Sequence, residues 1–306
     1  MITSGIERII ISVRDMDESL AFYRDWVGMK VVIDQHLEPD MIQHLGNLYE
    51  GTKARAVFLK NEEQSTLLEL IEFRPHSGRM IREEAKPWDY GIYDIAFLVR
   101  DLDKTYNNLI KKGFTFLSPP ITYPFPFGVK EAILIGPNEM PIAHIEIVSS
   151  PKPEIKEDYG KIVDSAQMVE DMDEVIRFYK DILGLTPQGD YKLPRGLVDE
   201  VLTLPPGTDV RIAFFNKEGS EGPLVEFLKF SLKGKSLTSV AKPPNLGIFM
   251  ISFETDDLSR LIEKFKREKV EIISGPVEMD VAQQGRIKTI TVEGPSKVKI
   301  EFFEKV

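Results

Sequence analysis

Apolar and polar positions recur along this chain in one repeated pattern. "RIIISV" (Arg8 to Val13) is a run of β-branched and apolar residues and reads as a strand. Asp15 follows as a helix N-cap, with Glu18 three residues on in capping-box spacing. Met16, Leu20, Tyr23 and Val27 then come at steps of 4, 3 and 4, one apolar helical face, and Gly28 closes it. The segment "DMDESLAFYRDWVGM" returns at Asp171 to Leu185 as "DMDEVIRFYKDILGL", identical at eight of fifteen positions. Met172, Ile176, Tyr179 and Leu183 repeat the apolar face, and Gly184 the stop.

Fainter copies lie between and after these two. Val13 leads into "VRDM", Val99 into "VRDL", Val169 into "VEDM" and Thr255 into "TDDL", at steps of 86, 70 and 86 residues. Such spacing marks four internal repeats. After each helix come shorter strand-like runs, such as "ARAVFL" and "TLLELIEF" after the first and "IKTITV" and "VKIEFF" after the fourth. Each unit reads as strand, helix and about three strands. A lone unit cannot cover its sheet, and two side by side can. The expectation is an α+β chain of four βαβββ units paired into two domains, residues 1–150 and 160–306. The boundary falls in the polar, Pro-containing stretch "SSPKPEIKEDYG".

Each unit also ends on a strand with a glutamate among apolar residues: Glu69, Glu146, Glu226 and Glu301. They lie 56, 47, 57 and 46 residues after the helix-leading residue of their units. One such residue reads as a half-exposed strand position; four at matched spacings point to a shared cavity, since burying an unpaired carboxylate is costly.

The βαβββ unit, the "V-x-D-[LM]…FY…G" helix and the terminal "IE[LFI]" strand together resemble the vicinal oxygen chelate superfamily. That group includes glyoxalase I, bleomycin-resistance proteins, methylmalonyl-CoA epimerase and extradiol dioxygenases. "PFGVKEAILIGPNE" is similar to the superfamily's approach to its last strand, with "GPNE" for "DPDG". The resemblance implies cup-shaped mixed sheets. It also implies, in metal-using members, ligands from the first strand of each unit, usually histidine, and from the terminal glutamate. The first-strand positions here are Arg8, Asp94, Asp164 and Met250, and none is histidine. A ring-cleaving dioxygenase, which needs two histidines and a carboxylate on iron, is the weakest of the alternatives.

Paired in sequence order, the N-terminal cup gathers Glu69, Asp94 and Glu146, with Arg8 opposite. His144 lies two residues before Glu146 and so shares its strand face. Two readings stand open. Glu69, Asp94, His144 and Glu146 hold one divalent ion, Mn²⁺, Mg²⁺ or Zn²⁺; or Arg8 is itself the cation. The C-terminal cup gathers Asp164, Glu226 and Glu301 with Met250, and reads as a degenerate half kept for structure or for homodimer contacts. "ITYPFPFG" and "KPWDYGIYD" place Tyr123, Phe125, Phe127, Trp88 and Tyr93 where they line the mouth of the N-terminal cup or plug the edge between units.

Composition narrows the chemistry further. A net charge of −10 argues against nucleic-acid and anionic-membrane partners. The chain has no cysteine, which excludes disulfides, thiolate metal sites and cysteine nucleophiles and fits a cytoplasmic location. No apolar run is long enough to span a bilayer, and no motif calls for an organic cofactor. The expected function is an enzyme on a small oxygenated or aromatic metabolite. Proton transfer of lyase or isomerase type would use Glu146 and Glu69 as base or ligand, His144 as acid–base group and Arg8 as anion holder. The alternative is a metal-free protein that binds and sequesters such a ligand.

Overall fold

All six residues of the strand Arg8–Val13 are buried, which needs cover on both faces. Ile9, Ile11 and Val13 enter one apolar core, and Ile10 on the opposite face enters another. This alternation holds throughout a computed structural model that describes residues 1–46, 48–62, 66–281 and 285–306.

Each unit has the expected order. In the first, Arg8–Val13 is followed by the helix Met16–Leu20, capped by the Asp15 side chain accepting from the Glu18 amide. The helix widens into a π-turn over Ala21–Trp26 before Gly28 turns the chain at φ +84°. The third unit repeats this with Met172–Ile176, the π-turn Arg177–Ile182 and Gly184 at φ +76°. A positive φ is where glycine has its advantage, so the duplicated stop has a conformational cause. The second and fourth units carry the longer helices Leu102–Lys111 and Leu258–Glu268.

The last strand of every unit runs parallel to the first, placing Ile10 beside Glu69, Ala96 beside Ala143, Ala166 beside Glu226 and Ser252 beside Glu301. Units then join through their first strands. Arg8–Val13 pairs antiparallel with Gly247–Glu254, and Ile95–Val99 with Tyr159–Met168. One sheet therefore holds units one and four, the other units two and three.

This differs from the pairing expected from sequence order. Short loops favour pairing of neighbours, but strand edges and apolar faces decide, and here the outer units close on one another. The helices of all four units share one core between the sheets. Phe22 packs on Phe114 with centroids 5.6 Å apart, and Phe178 stacks on Phe265 at 6.4 Å. The concave faces turn away from that core as two separate cups.

Candidate functional site

The two cups place their polar groups alike and fill them differently. In the cup of units one and four, Arg8 is 4% exposed. Its Nη1 donates to Glu69 Oε2 at 3.1 Å, and its Nη2 donates to Glu301 Oε2. Glu301 also accepts from the hydroxyls of Ser252 at 2.7 Å and Thr289 at 3.1 Å. Its pKa is depressed: burial would raise it, but Arg8, Ser252, His44 and Thr289 together outweigh that. Glu69 has fewer donors, and burial pushes its pKa up to about 7 against the pull of Arg8. Glu301 therefore holds the negative charge, and Glu69 shares a proton near neutrality. Phe58, Phe249, Met250, Ile287 and Phe303 pack the rest of this cup, and the short helix Pro39–Leu45 adds Ile42 and His44. Burial keeps His44 neutral, with Nδ1 3.0 Å from Ser274 Oγ.

The cup of units two and three keeps a cavity of about 110 Å³. Four acids line it: Asp94 just before Ile95–Val99, Glu131 in Val129–Ile135, Asp164 in Tyr159–Met168 and Glu226 in Leu224–Phe230. Asp164 and Glu226 hydrogen-bond to each other through their carboxyls. The Ala166 amide donates to Asp94 Oδ1 at 3.3 Å. Burial is the main reason all four hold protons more tightly than usual, and mutual repulsion adds to it for Asp94, Glu131 and Glu226. Asp164 is pushed up to about 7 and Glu131 to about 8; Asp94 and Glu226 lie well above the ordinary carboxylate range.

Aromatic and aliphatic side chains make the walls. Tyr93, Tyr123, Phe125, Phe127 and Phe214 stand on one side. Leu197, Val198, Val201 and Leu202 cover it from the connection between Thr186–Lys192 and Val210–Asn216. Phe127 meets Phe214 edge-on at 5.2 Å, and Phe125 meets Tyr191 at 5.4 Å. Phe125 and Phe127 remain exposed at the mouth. There a wider cleft of about 480 Å³ shares Phe127, Val129 and Ile145 with the cavity.

Several expected site residues fall elsewhere. Ala143 and Ile145 face the cavity, so His144 and Glu146 face the helices. Glu146 Oε2 accepts from the Leu102 amide at 3.0 Å, at the start of the helix Leu102–Lys111, and Lys152 bonds its other oxygen at 3.2 Å. Its counterpart in unit four is Glu304, which accepts from the Leu258 amide at 3.1 Å; Glu301 corresponds to Ala143. His144 is fully buried: Nδ1 donates to the Ile142 carbonyl at 3.2 Å and Nε2 accepts from the Tyr159 hydroxyl at 3.0 Å. Burial lowers its pKa to about 4, so it is neutral. The set Glu69, Asp94, His144 and Glu146 is thus divided between two cups and the helix side of one sheet, and does not form one centre. Trp88 packs against the apolar cluster of the second cup without lining the cavity. Glu131 was missed, although its setting in "EAILIG" carries the same signal, a glutamate inside an apolar strand.

The superfamily resemblance implies a divalent ion, and the donor sets can be tested for it. In the first cup the guanidinium of Arg8 already stands between Glu69 and Glu301. In the second the donors are hard oxygens, but no imidazole lines the cavity. Among the described residues no three His, Cys, Asp or Glu side chains are grouped for coordination. As placed, these residues do not fit a resident metal, and no catalytic step is assigned to one.

Paired βαβββ units closing on cups of this kind define a class of protein, and the sequence agrees. The family model of the Glyoxalase/Bleomycin resistance protein/Dioxygenase superfamily matches residues 5–129 and 161–302, and the chain belongs to that superfamily. It is similar to glyoxalase I from Zea mays, with 15% identity and a TM-score of 0.65 over 99% of this chain and 93% of that one. It is also similar to a putative dioxygenase from Bacillus subtilis subsp. subtilis str. 168, with 14% identity and a TM-score of 0.62 over 98% and 85%. At such identities the likeness is one of fold. No curated protein matches the sequence. Among the described residues no helix is long and apolar enough to cross a membrane.

Proposed function

We propose that the cavity between units two and three is the active site of a small-molecule enzyme that transfers a proton on its substrate. The observation that carries this reading is a group of four acids, Asp94 and Asp164 buried and Glu131 and Glu226 half-buried, lining an apolar, aromatic-walled cavity, two of them with pKa values of about 7 and about 8. Groups titrating near neutral pH are matched to general acid–base work. The Asp164–Glu226 pair shares a proton, so one member removes a proton from a substrate carbon while the other, neutral, returns one to a second atom. Asp94 and Glu131, held in the acid form by burial, are placed to donate hydrogen bonds to an oxygen that gains negative charge. Proton transfer of this kind is isomerase or lyase chemistry. The acids come from both halves of the chain, so neither half holds the site alone.

A second reading has its own support: no imidazole lines the cavity, and Phe125 and Phe127 form an open aromatic mouth. Those features suit a protein that binds an aromatic ligand and holds it.

Exchange of substrate C–H for deuterium in D₂O, followed by proton NMR over a panel of small aromatic carbonyl compounds and amino ketones, separates the two. Protein-catalysed exchange that is lost in Glu226→Gln and Asp164→Asn supports the enzyme. Saturable binding without exchange anywhere in the panel supports the binding protein.

A further inference from the structure

The two cups are copies of one arrangement, and only one of them contains its own cation. Arg8 occupies the first-strand position of unit one and neutralises Glu301 and Glu69 from within. The corresponding positions of units two and three are Asp94 and Asp164, which bring two more acids and no base. Among the described residues no lysine, arginine or histidine forms an ion pair with Asp94, Glu131, Asp164 or Glu226. Arg82 is the nearest guanidinium with an influence on Asp94. It is committed elsewhere, donating to the carbonyls of Lys86, Pro87, Asp89 and Ile92 and lying over the Tyr93 ring at 4.9 Å. Lys161 and Lys217 line the outer cleft, which shares Asp164 with the cavity, but neither lysine lines the cavity itself or forms an ion pair with Asp164.

A second observation points to a ligand independently of the acids. Tyr123 is 3% exposed and lines the cavity, yet among the described residues its hydroxyl has no hydrogen-bond partner. A buried hydroxyl without a partner is costly. The acidic side chains that act on this phenol are Glu131 and Glu200, so the polar group that satisfies it meets an acidic environment. Tyr93, Phe125, Phe127 and Phe214 supply apolar surface around it, and the face of an aromatic ring attracts a cation.

We propose that the ligand of the second cup is an organic cation, an ammonium, amidinium or guanidinium group carried on a small apolar or aromatic body. The proposal rests on the reading of this cavity as the functional site and names the charge of what enters it. The cationic head takes the place that the Arg8 guanidinium holds in the first cup, paired with the Asp164–Glu226 carboxyls. The apolar body lies between the aromatic wall and Leu197, Val198 and Leu202. One bound cation compensates about one negative charge, so part of the acid group loses its proton on binding and the rest stays neutral. The acidic chain as a whole favours approach of a cation.

The test is calorimetric titration of the full chain with benzamidine and 2-phenylethylamine, beside benzyl alcohol and benzoate as neutral and anionic controls of similar shape. The expected result is one saturable site per chain for at least one of the cations. Binding should be roughly tenfold or more tighter than for benzyl alcohol, with a binding heat that varies with the ionisation enthalpy of the buffer, the slope giving the protons released. Glu226→Gln and Tyr123→Phe should each weaken cation binding several-fold, and by a larger factor than they change the weak binding of benzyl alcohol. The ligand series on the unaltered protein decides the matter even if a variant fails to fold. Benzyl alcohol or benzoate binding as tightly as the cations overturns the proposal, as does no saturable binding of either cation. So does stoichiometric Mg²⁺ or Mn²⁺ binding that excludes both cations. Cation binding without deuterium exchange overturns proton transfer alone; exchange on neutral substrates with no cation binding overturns this inference alone.

Discussion

Arg8 and Asp94 are one position of the repeated unit, and they bring a base into one cup and an acid into the other. Arg8 closes its cup with bonds to Glu69 and Glu301. Asp94 instead faces Asp164 and Glu131, which raise its proton affinity. This difference at a repeated position, together with the apolar side chains that pack the first cup, separates a filled cup from one that retains a cavity.

Arg8→Met should destabilise the fold by about 3–5 kcal/mol in urea unfolding, because it leaves the Glu301 charge buried without its counter-ion. Replacing Arg8, Glu69 and Glu301 together with apolar or amide residues of similar volume should recover most of that loss. A single variant as stable as the parent would show that the ion pairs are not what holds this cup.

The acids of the second cup, with Glu69, set a direction for pH dependence. Their folded-state pKa values lie above the unfolded values of 3.8 and 4.5, reaching about 7 for Asp164 and Glu69 and about 8 for Glu131. Between these limits the folded protein binds more protons than the unfolded chain. Stability is therefore highest at the acid end of the window and falls as pH rises to about 8, by at most about 1.4 kcal/mol per pH unit for each group. Chemical denaturation at steps from pH 5 to pH 8.5 measures this slope, and Glu131→Gln should flatten it. A slope of the opposite sign would mean that the acids are ionised and compensated in the folded state.

Glu146 and Glu226 both stand in the last strand of their units, on opposite faces, and have different jobs. Glu146→Ala should lower stability by about 1 kcal/mol through loss of the bond to the Leu102 amide at a helix N-terminus, with ligand affinity unchanged. Glu226→Gln should reduce ligand affinity and leave stability equal or higher, since it relieves repulsion in the acid group. Thermal unfolding and calorimetry on the two variants decide this, and a loss of binding in Glu146→Ala would return that residue to the site.

His144 should have no part in any activity profile between pH 5 and pH 8, because burial holds its pKa near 4. Its folded value lies below the unfolded 6.5, so its contribution to stability is complete above 6.5 and is lost as pH falls toward 4. His144→Phe should weaken that acid-side loss while leaving the Tyr159 hydroxyl unpaired, at a cost of about 1–3 kcal/mol. NMR titration of the His144 ring gives the direct check, and a midpoint near 6.5 would contradict it.

Much of this molecule is legible in its sequence. The four units, their caps and the glycine stops of the first and third follow from apolar periodicity and from the repeated helix, which is local information; the cup shape follows from the resemblance to the superfamily. Tyr93, Tyr123, Phe125 and Phe127 are legible as a group because two short segments carry them. The place of Glu146 is not legible, because its spacing is counted from a helix-leading residue through loops to a distant strand. A loop absorbs extra residues freely, whereas a strand turns a side chain to the opposite face with each one.

By itself the sequence determined which residues make strands and helices and that two pairs of units would form two cups. It also determined that the usual histidines are missing from the first strands. Only the tertiary structure decided which units pair. That choice depends on the fit of edges and apolar faces between segments far apart in the chain, and no local pattern records it. The pairing of one with four and two with three put Arg8 opposite Glu301 and set Asp94 beside Asp164, and with that it decided which cup is filled and which stays open.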